Sequence, residues 1–466
     1  MFSMRIFNPM RMALLGVLVL APAFAGDPQF IVRAPGNTVQ HLVSKGASVK
    51  SAVTGTAKDL YVLTVPGKSR GAALNVILSE PGVTAESNLT VTLPEASLDS
   101  TMIGNSPVSY ASVQSTLASM LANMQADSCA SGTASFRGYY CQPAVSIINL
   151  RQARTFATGS GVVGILDTGI DPAHPALLGS VVAGWDFTTN TAGGFISLAD
   201  TQSTTSILDD QQSTTSILDG DSTVVINQST TSILDDYQST TSILDQSTTS
   251  ILDNRPANFA GHGTMVAGIV RLVAPGATLM PIKVFGTNGT ATLSQVLAGI
   301  YYASDHGVKV LNMSFSMTTS SPELIHAVSY ANSKGLILVA AAGNEGQNIV
   351  VYPAGLNQVI GVGATTDQSV RSSYSNYGKV VALAAPGDGI VTTFPGARWA
   401  MAWGTSLSTP FVSGGVALLI QMNPNLSWIQ ATNAITQCAP IGQELGAGRL
   451  DLFRACSYEA SHGGGH

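Results

Sequence analysis

Past residue 155 the chain alternates short apolar runs with longer stretches in which apolar residues recur at helical spacing. Val162 to Asp167, Leu279 to Phe285, Val308 to Ser314, Leu336 to Ala341, Val359 to Val362 and Val380 to Ala384 predict buried strands. Ser294 to His306, Pro322 to Ser333, Ser406 to Met422 and Ser427 to Gln437 predict helices between or after them. Strands buried on both faces and separated by helices predict an α/β fold, a doubly wound, mostly parallel sheet with helices on both faces. Within the most apolar helix, Ser413 and Gly414-Gly415 interrupt the run Phe411 to Met422, which marks a core helix and not a membrane span.

The pattern before residue 155 differs. Phe30 to Val32, Leu60 to Val65 and Leu89 to Leu93 predict strands, with a helix around Ala72 to Ser79, and together they predict a small α+β unit over residues 26–95. Residues 96–140 turn to Ser, Ala, Met and Gly and predict a linker carrying one helix, Val113 to Met124. At the start, Arg5 and Arg11 precede the apolar run Met12 to Leu20, and Ala23-Phe24-Ala25 supplies small residues for cleavage, so residues 1–25 predict an export signal and a secreted protein, extracellular or periplasmic. The main domain is expected over residues 141–456 and a flexible tail over 457–466, with His462 and His466 in that tail.

One segment breaks the rhythm. The octapeptide Gln-Ser-Thr-Thr-Ser-Ile-Leu-Asp recurs unchanged from Gln202, Gln212, Gln228, Gln238 and Gln246, at irregular spacings of 10, 16, 10 and 8 residues. A solenoid needs a constant period, so a regular one is not expected. From Asp186 to Asp253 there are ten Asp and no Lys, Arg or Glu, so this stretch carries −10 and the remainder +4, the difference from the total of −6. The copies lack the glycines of calcium-binding repeats, and residues 187–254 are read as an acidic, solvated insertion.

Composition narrows the function. With 466 residues, 45% of them hydrophobic and 10% charged, the chain can bury two or three cores and is not a disordered polyelectrolyte. A net charge of −6 with 21 Lys and Arg argues against binding nucleic acid through its phosphates. No stretch reaches the roughly eighteen uninterrupted apolar residues of a spanning helix. Cys129, Cys141, Cys438 and Cys456 suit two disulfides in an oxidising compartment; three pairings are possible, and the expected one joins neighbours, Cys129 with Cys141 and Cys438 with Cys456.

Four motifs lie where an α/β sheet places its chemistry, at strand ends and helix starts. Val163-Gly164-Ile165-Leu166-Asp167-Thr168-Gly169 ends a strand on Asp167, and Gly261-His262-Gly263-Thr264 puts His262 at a helix start. Gly404-Thr405-Ser406-Leu407-Ser408-Thr409-Pro410 opens the apolar helix with Ser406 near its N-terminus. Singly, these residues read as a turn aspartate, an ordinary histidine and an N-cap. Together they have the composition and the order, Asp then His then Ser, of a catalytic triad in which the Asp orients the imidazole and the imidazole takes the hydroxyl proton. Asn344, in Ala341-Ala342-Gly343-Asn344-Glu345-Gly346, can donate to an oxyanion beside the Ser406 backbone N–H.

On these motifs residues 140 to 456, apart from the insertion, resemble the subtilisin-like serine proteases, or subtilases. The resemblance implies Asp167 as orienting acid, His262 as general base and acid, Ser406 as nucleophile and Asn344 as oxyanion donor. It implies that polypeptide substrates lie as an added strand between Phe285 to Gly289 and Leu311 to Ser316, with Gly289, Ser314, Phe315 and Ser316 in contact. Val351, before Tyr352-Pro353, falls where many relatives have Gly at the base of the primary specificity pocket, which implies a shallower pocket for small or medium apolar side chains. Met265 replaces a second His of many bacterial relatives, and Val270-Arg271-Leu272-Val273 runs directly into Ala274-Pro275-Gly276 without the loop that holds a tight calcium ion, so no metal is expected at that site and no cofactor is required. The small α+β unit looks like a propeptide, a folding template and intramolecular inhibitor of a self-processed zymogen. With Cys129 bonded to Cys141, cleavage is expected between Glu95 and Asp127. The mature enzyme is expected to be a monomer.

Two other classes compete. A catalytically silent scaffold that adheres through the repeats is disfavoured because all four motif positions are filled. A non-protease serine hydrolase is disfavoured because Gly404-Thr405-Ser406-Leu407-Ser408 lacks the second glycine of a Gly-x-Ser-x-Gly elbow.

Overall fold

The structure, a computed structural model, describes residues 27–53, 59–93, 137–196, 223–227, 230–234 and 259–463. The expected signal segment, the linker helix Val113 to Met124, the processing region, Cys129 and most of the repeat copies lie outside the described residues. The described residues divide into two compact units, one of residues 27–51 and 61–87 and one formed by the rest.

The small unit is built from β1 Gln29–Arg33, α1 Gly36–Ser44, β2 Ser48–Ala52, β3 Leu60–Thr64, α2 Arg70–Ile77 and β4 Thr84–Ser87. Its sheet runs β2-β3-β1-β4, and β1 pairs antiparallel with β4. Alternate residues of a strand share a face, so Phe30 and Val32 enter one core with Val39, Leu42, Leu63 and Ile77. Sequence periodicity missed α1, which starts on Gly36 after Pro35, and the polar β4, Thr-Ala-Glu-Ser; both owe their structure to the neighbours they pack or pair with.

The larger unit begins with β5 Thr90–Thr92 and the short helices α3 Arg137–Cys141, α4 Pro143–Ile147 and α5 Leu150–Ala153. It continues through β6 Val162–Asp167, β7 Gly184–Asp186, β8 Thr191–Gly193, β9 Thr223–Asn227, β10 Thr230–Leu234 and α6 His262–Val273. Next come β11 Thr278–Lys283, β12 Thr290–Thr292, α7 Leu293–Asp305, β13 Val308–Met313, α8 Pro322–Ser333 and β14 Ile337–Ala341. The last elements are β15 Val359–Thr365, β16 Leu383–Pro386, β17 Ile390–Phe394, β18 Arg398–Ala402, α9 Thr405–Met422, α10 Trp428–Ile435 and α11 Leu452–His462.

The central sheet has the order β16-β15-β14-β13-β6-β11-β7-β8. It is parallel except for the β7–β8 pair, so the expected α/β fold is present with a mixed sheet. Val163, Ile165, Val310, Val339 and Val362 pack with α6 and α9 in one core. The alternate side chains Leu166 and Ile282 lie against Gly299 of α7, which packs on α8. Helix α9 is buried from Thr405 through Ile420, which is why its sequence is apolar on every side.

Three expectations are corrected, and the insertion acquires two strands. The Cys438–Cys456 bridge is not formed: both thiols are free and buried, burial pushes each pKa up to about 12, and no disulfide joins two described residues. The tail expected to be flexible from residue 457 is helical to His462, because α11 is amphipathic and buries Leu452, Ala455, Cys456 and Glu459. Residues 187–196, assigned to the insertion, belong to the sheet edge, where β8 pairs with β7 and Ile196 N–H donates to Ile170 O at 3.0 Å. Within the insertion, β9 and β10 form an antiparallel pair and β9 runs parallel to β18, giving a second sheet of order β10-β9-β18-β17.

Candidate active site

Strands of a parallel sheet end together at one edge, and there β6 delivers Asp167, opposite Lys283 of β11. Asp167 is fully buried and takes the Thr168 N–H at 2.7 Å. His262 is the first residue of α6, and its Nδ1 lies 2.8 Å from Asp167 Oδ1 and 2.9 Å from Oδ2. A carboxylate only accepts, so Nδ1 carries the donated hydrogen and the lone pair of a neutral imidazole is placed on Nε2. Gly263 permits this approach: a Cβ there would run into the backbone of Gly169. Its N–H also donates to Thr168 Oγ1 at 3.0 Å, fixing the start of α6 against the end of β6.

Ser406 is the second residue of α9, so its backbone N–H is among those that have no partner within the helix. Its hydroxyl donates to Ser314 O at 3.1 Å. The turn into α9 depends on Gly404, whose φ of 144° disfavours any side chain. Gly404 N–H is shared between Gly387 O and Tyr374 Oη, both at 3.0 Å. Tyr374 Oη lies 2.8 Å from Gly387 O and 2.6 Å from Asp388 Oδ1, which also accepts from Ser372 Oγ at 2.6 Å. Burial, followed by the nearby Asp388 charge, raises the Tyr374 pKa well above the ordinary phenol value. Burial also raises Asp388, against the hydrogen bonds from Ser372 and Tyr374 that favour its ionised form.

Asn344 follows β14 and is buried. Its Oδ1 accepts from Thr405 N–H at 2.9 Å and from Thr405 Oγ1 at 2.8 Å. With the carbonyl end committed, the NH2 is the end that donates, and the residue holding it is the immediate neighbour of Ser406. Thr405, Tyr374 and Asn312 were not singled out as site residues from the sequence. The available signal was polarity at a position between apolar or motif neighbours, as in Leu311-Asn312-Met313 and Gly404-Thr405-Ser406.

The expected cleft residues fall on three segments. Gly289 precedes β12, which pairs antiparallel with β5, and Gly289 O accepts from Leu93 N–H at 2.9 Å. Asn88 Oδ1 accepts from Ser294 N–H at 2.9 Å, so the strand from Asn88 to Leu93 is fixed at both ends along this edge. Ser314 meets Ser406, whereas the Phe315 ring is buried against Phe285 at 5.4 Å between centroids and offers only its backbone. Ser316 and Val351 are buried, and their segments are joined by paired Met317–Tyr352 backbone hydrogen bonds of 2.8 Å. Among the described residues no group of three or more His, Cys, Asp or Glu side chains is arranged to hold a metal ion.

The profile of the Subtilase family matches residues 159–454. Thermitase from Thermoactinomyces vulgaris is 32% identical over 324 residues, covering 67% of this chain and 94% of that protein. Subtilisin Savinase from Lederbergia lenta is 38% identical over 188 residues, 38% of this chain and 70% of that protein. In fold, the chain is similar to fervidolysin from Fervidobacterium pennivorans, described as a keratinolytic enzyme related to subtilisin. That likeness has a TM-score of 0.66 at 20% identity and covers 93% of this chain and 61% of the other.

Proposed function

The chain belongs to the subtilase family and is a serine endopeptidase, and from that premise we propose that Ser406 is its nucleophile, His262 its base and acid, Asp167 its orienting carboxylate and Asn344 its oxyanion donor. The observation that carries this assignment is the buried contact of His262 Nδ1 with both Asp167 oxygens, at 2.8 and 2.9 Å, on a helix that packs against the one bearing Ser406.

Attack begins when the Ser406 hydroxyl turns from Ser314 O to His262 Nε2. Oγ bonds to the scissile carbonyl carbon as its proton passes to Nε2, and the carbonyl electron pair moves onto oxygen. Asn344 Nδ2 and the Ser406 N–H donate to that oxyanion. When the C–N bond breaks, the amine leaves with the proton held on Nε2, and the acyl group remains on Oγ. Water then repeats the cycle with His262 again accepting and returning the proton, releasing acid and free serine.

The small unit acts as a propeptide and intramolecular inhibitor, and secretion follows from the export signal. Support for the inhibitor role is the segment that follows the small unit in the chain: β5, within the larger unit, pairs with the β12 edge beside Gly289, where a substrate strand would add. Cleavage between Glu95 and Asp127 then frees that edge. Among the described residues no helix is long and apolar enough to cross a membrane. The buried Val351 favours small or medium apolar side chains before the cleaved bond, so peptides with Ala or Leu there should be hydrolysed faster than those with Phe or Tyr.

A fluorophosphonate probe should label the processed wild-type protein covalently and leave Ser406→Ala unlabelled, with casein hydrolysis lost in parallel. Labelling that survives Ser406→Ala would remove Ser406 from its proposed role. A secreted form whose N-terminus retains Thr90 to Thr92 while fully active would remove the inhibitor assignment.

A further inference from the structure

Four residues after Ser406 the helix carries Pro410. In an α-helix the carbonyl of residue i accepts the N–H of residue i+4, and proline has none. The carbonyl of the nucleophile's own residue therefore lacks its usual intrahelical donor. The sheet supplies another: Ser314 Oγ, just beyond β13, donates to Ser406 O at 2.8 Å.

A hydroxyl has one proton, so something must direct it. Asn312 Nδ2 donates to Ser314 Oγ at 2.9 Å, which makes that oxygen an acceptor on one side and commits its proton to Ser406 on the other. The Asn312 amide could in principle present either end to Ser314. Its orientation is set by Ser413, whose hydroxyl donates to Asn312 Oδ1 at 2.8 Å, while the alternative acceptor, Thr409 O, lies at 3.3 Å. Ser413, Asn312, Ser314 and Ser406 are all fully buried.

We propose that Ser413 and Asn312 are positioning residues for Ser406: a one-way chain of hydrogen bonds from Ser413 through Asn312 and Ser314 replaces the donor that Pro410 withholds. Ser314 then holds Ser406 twice, at its carbonyl through Oγ and at its hydroxyl through the Ser314 carbonyl. Without the Ser413 hydroxyl the Asn312 amide is free to turn, its oxygen takes the Ser314 proton, and the first turn of α9 loses its tie to β13. The catalytic consequence rests on Ser406 being the nucleophile; the tie itself does not.

The test uses the processed full enzyme with a chromogenic peptide anilide, scored per active site. Ser413→Ala should lower kcat about tenfold with KM within about twofold, and Ser413→Thr, which keeps the hydroxyl, should restore most of it. In a Ser314→Ala background, Ser413→Ala should cost no more than about twofold further, because both changes cut the same chain. Unchanged kcat in Ser413→Ala, or its full independent loss in the Ser314→Ala background, overturns the proposal. Amide exchange across residues 404–412 reads the same tie without catalysis, and should be about tenfold faster in Ser413→Ala. Unchanged exchange overturns the chain of bonds even if fluorophosphonate labelling succeeds; accelerated exchange in a protein that fails to label would leave the tie standing and remove only the nucleophile.

Discussion

In the small unit the interior consists of side chains such as Phe30, Val32, Leu42, Leu63 and Ile77, and Thr64, a buried polar residue, donates its hydroxyl to Pro28 O at 3.0 Å. The larger unit has an aliphatic core of the same kind, yet it also buries Asp167, His262, Asn312, Ser314, Thr405 and Ser406. Apolar burial is favourable wherever it occurs, whereas a buried polar group costs free energy unless it is paired. The first kind of interior specifies a shape. The second kind keeps polar groups in fixed directions, which is what proton transfer and oxyanion binding need. The two interiors should therefore fail differently when cut.

The sharpest cut is at Asn344. Asn344→Ala removes the side chain proposed to donate to the oxyanion, which forms only on attack, so kcat should fall about 10²- to 10³-fold with KM nearly unchanged, a magnitude taken from subtilisin. Steady-state kinetics per labelled site check it, and a loss confined to KM would place the side chain in substrate binding instead.

Leu63→Ala makes the opposite cut. A fully buried leucine in the small core should cost about 2–5 kcal/mol of that unit's stability. The yield of processed enzyme should fall, while kcat/KM of the molecules that mature stays at the wild-type value. Reduced kcat/KM in correctly processed enzyme would show that the small unit does more than assist folding.

Thr405→Val lies between these extremes. It deletes the 2.8 Å donation from Oγ1 to Asn344 Oδ1 but leaves the residue 405 N–H in place at 2.9 Å. The lost tie on the amide is worth about 1 kcal/mol, so kcat should fall up to about tenfold. If Thr405→Val in the Asn344→Ala background lowers kcat by the same factor, the threonine acts other than through the asparagine.

The same contrast explains what could be read from the chain alone. Strand Val162–Asp167 and helix Pro322–Ser333 coincide with their sequence expectations, four other expected strands of the central sheet deviate at their ends, and the one expected over Val380 to Ala384 starts three residues later, at Leu383–Pro386. Both depend on local signals: continuous aliphatic burial in one, and Ser321 capping the Leu324 N–H before Pro322 in the other. Strands β7, β8, β12 and β18 went unrecognised because they are short or their sequences, such as Arg-Trp-Ala-Met-Ala, lack a decisive period. The Asp167–His262 contact was legible because each residue sits in a distinctive motif. The Ser413–Asn312–Ser314 chain was not, since Ser413 reads as a polar interruption in an apolar helix and its partner is 101 residues away.

Asp388 offers the smallest and most specific test, because it is a half-buried carboxylate beside the turn that carries Ser406. Its native pKa is raised, chiefly by burial and further by Asp367, against the donations from Ser372 and Tyr374. Between the ordinary carboxylate value and the elevated native one, the folded protein binds more proton than the unfolded chain. Stability from this group is therefore greatest below the ordinary value and declines as pH rises through the native one. Asp388→Asn keeps an Oδ1 to accept from Ser372 and Tyr374, both at 2.6 Å, but removes the charge. Melting temperatures of the processed enzyme across the acidic range should then lose this declining component, and at pH 8 the variant should melt about 1–3 °C above wild type. A variant that melts lower at pH 8 would mean that the ionised carboxylate, holding the Tyr374 hydroxyl against the Gly404 turn, contributes more than its burial costs.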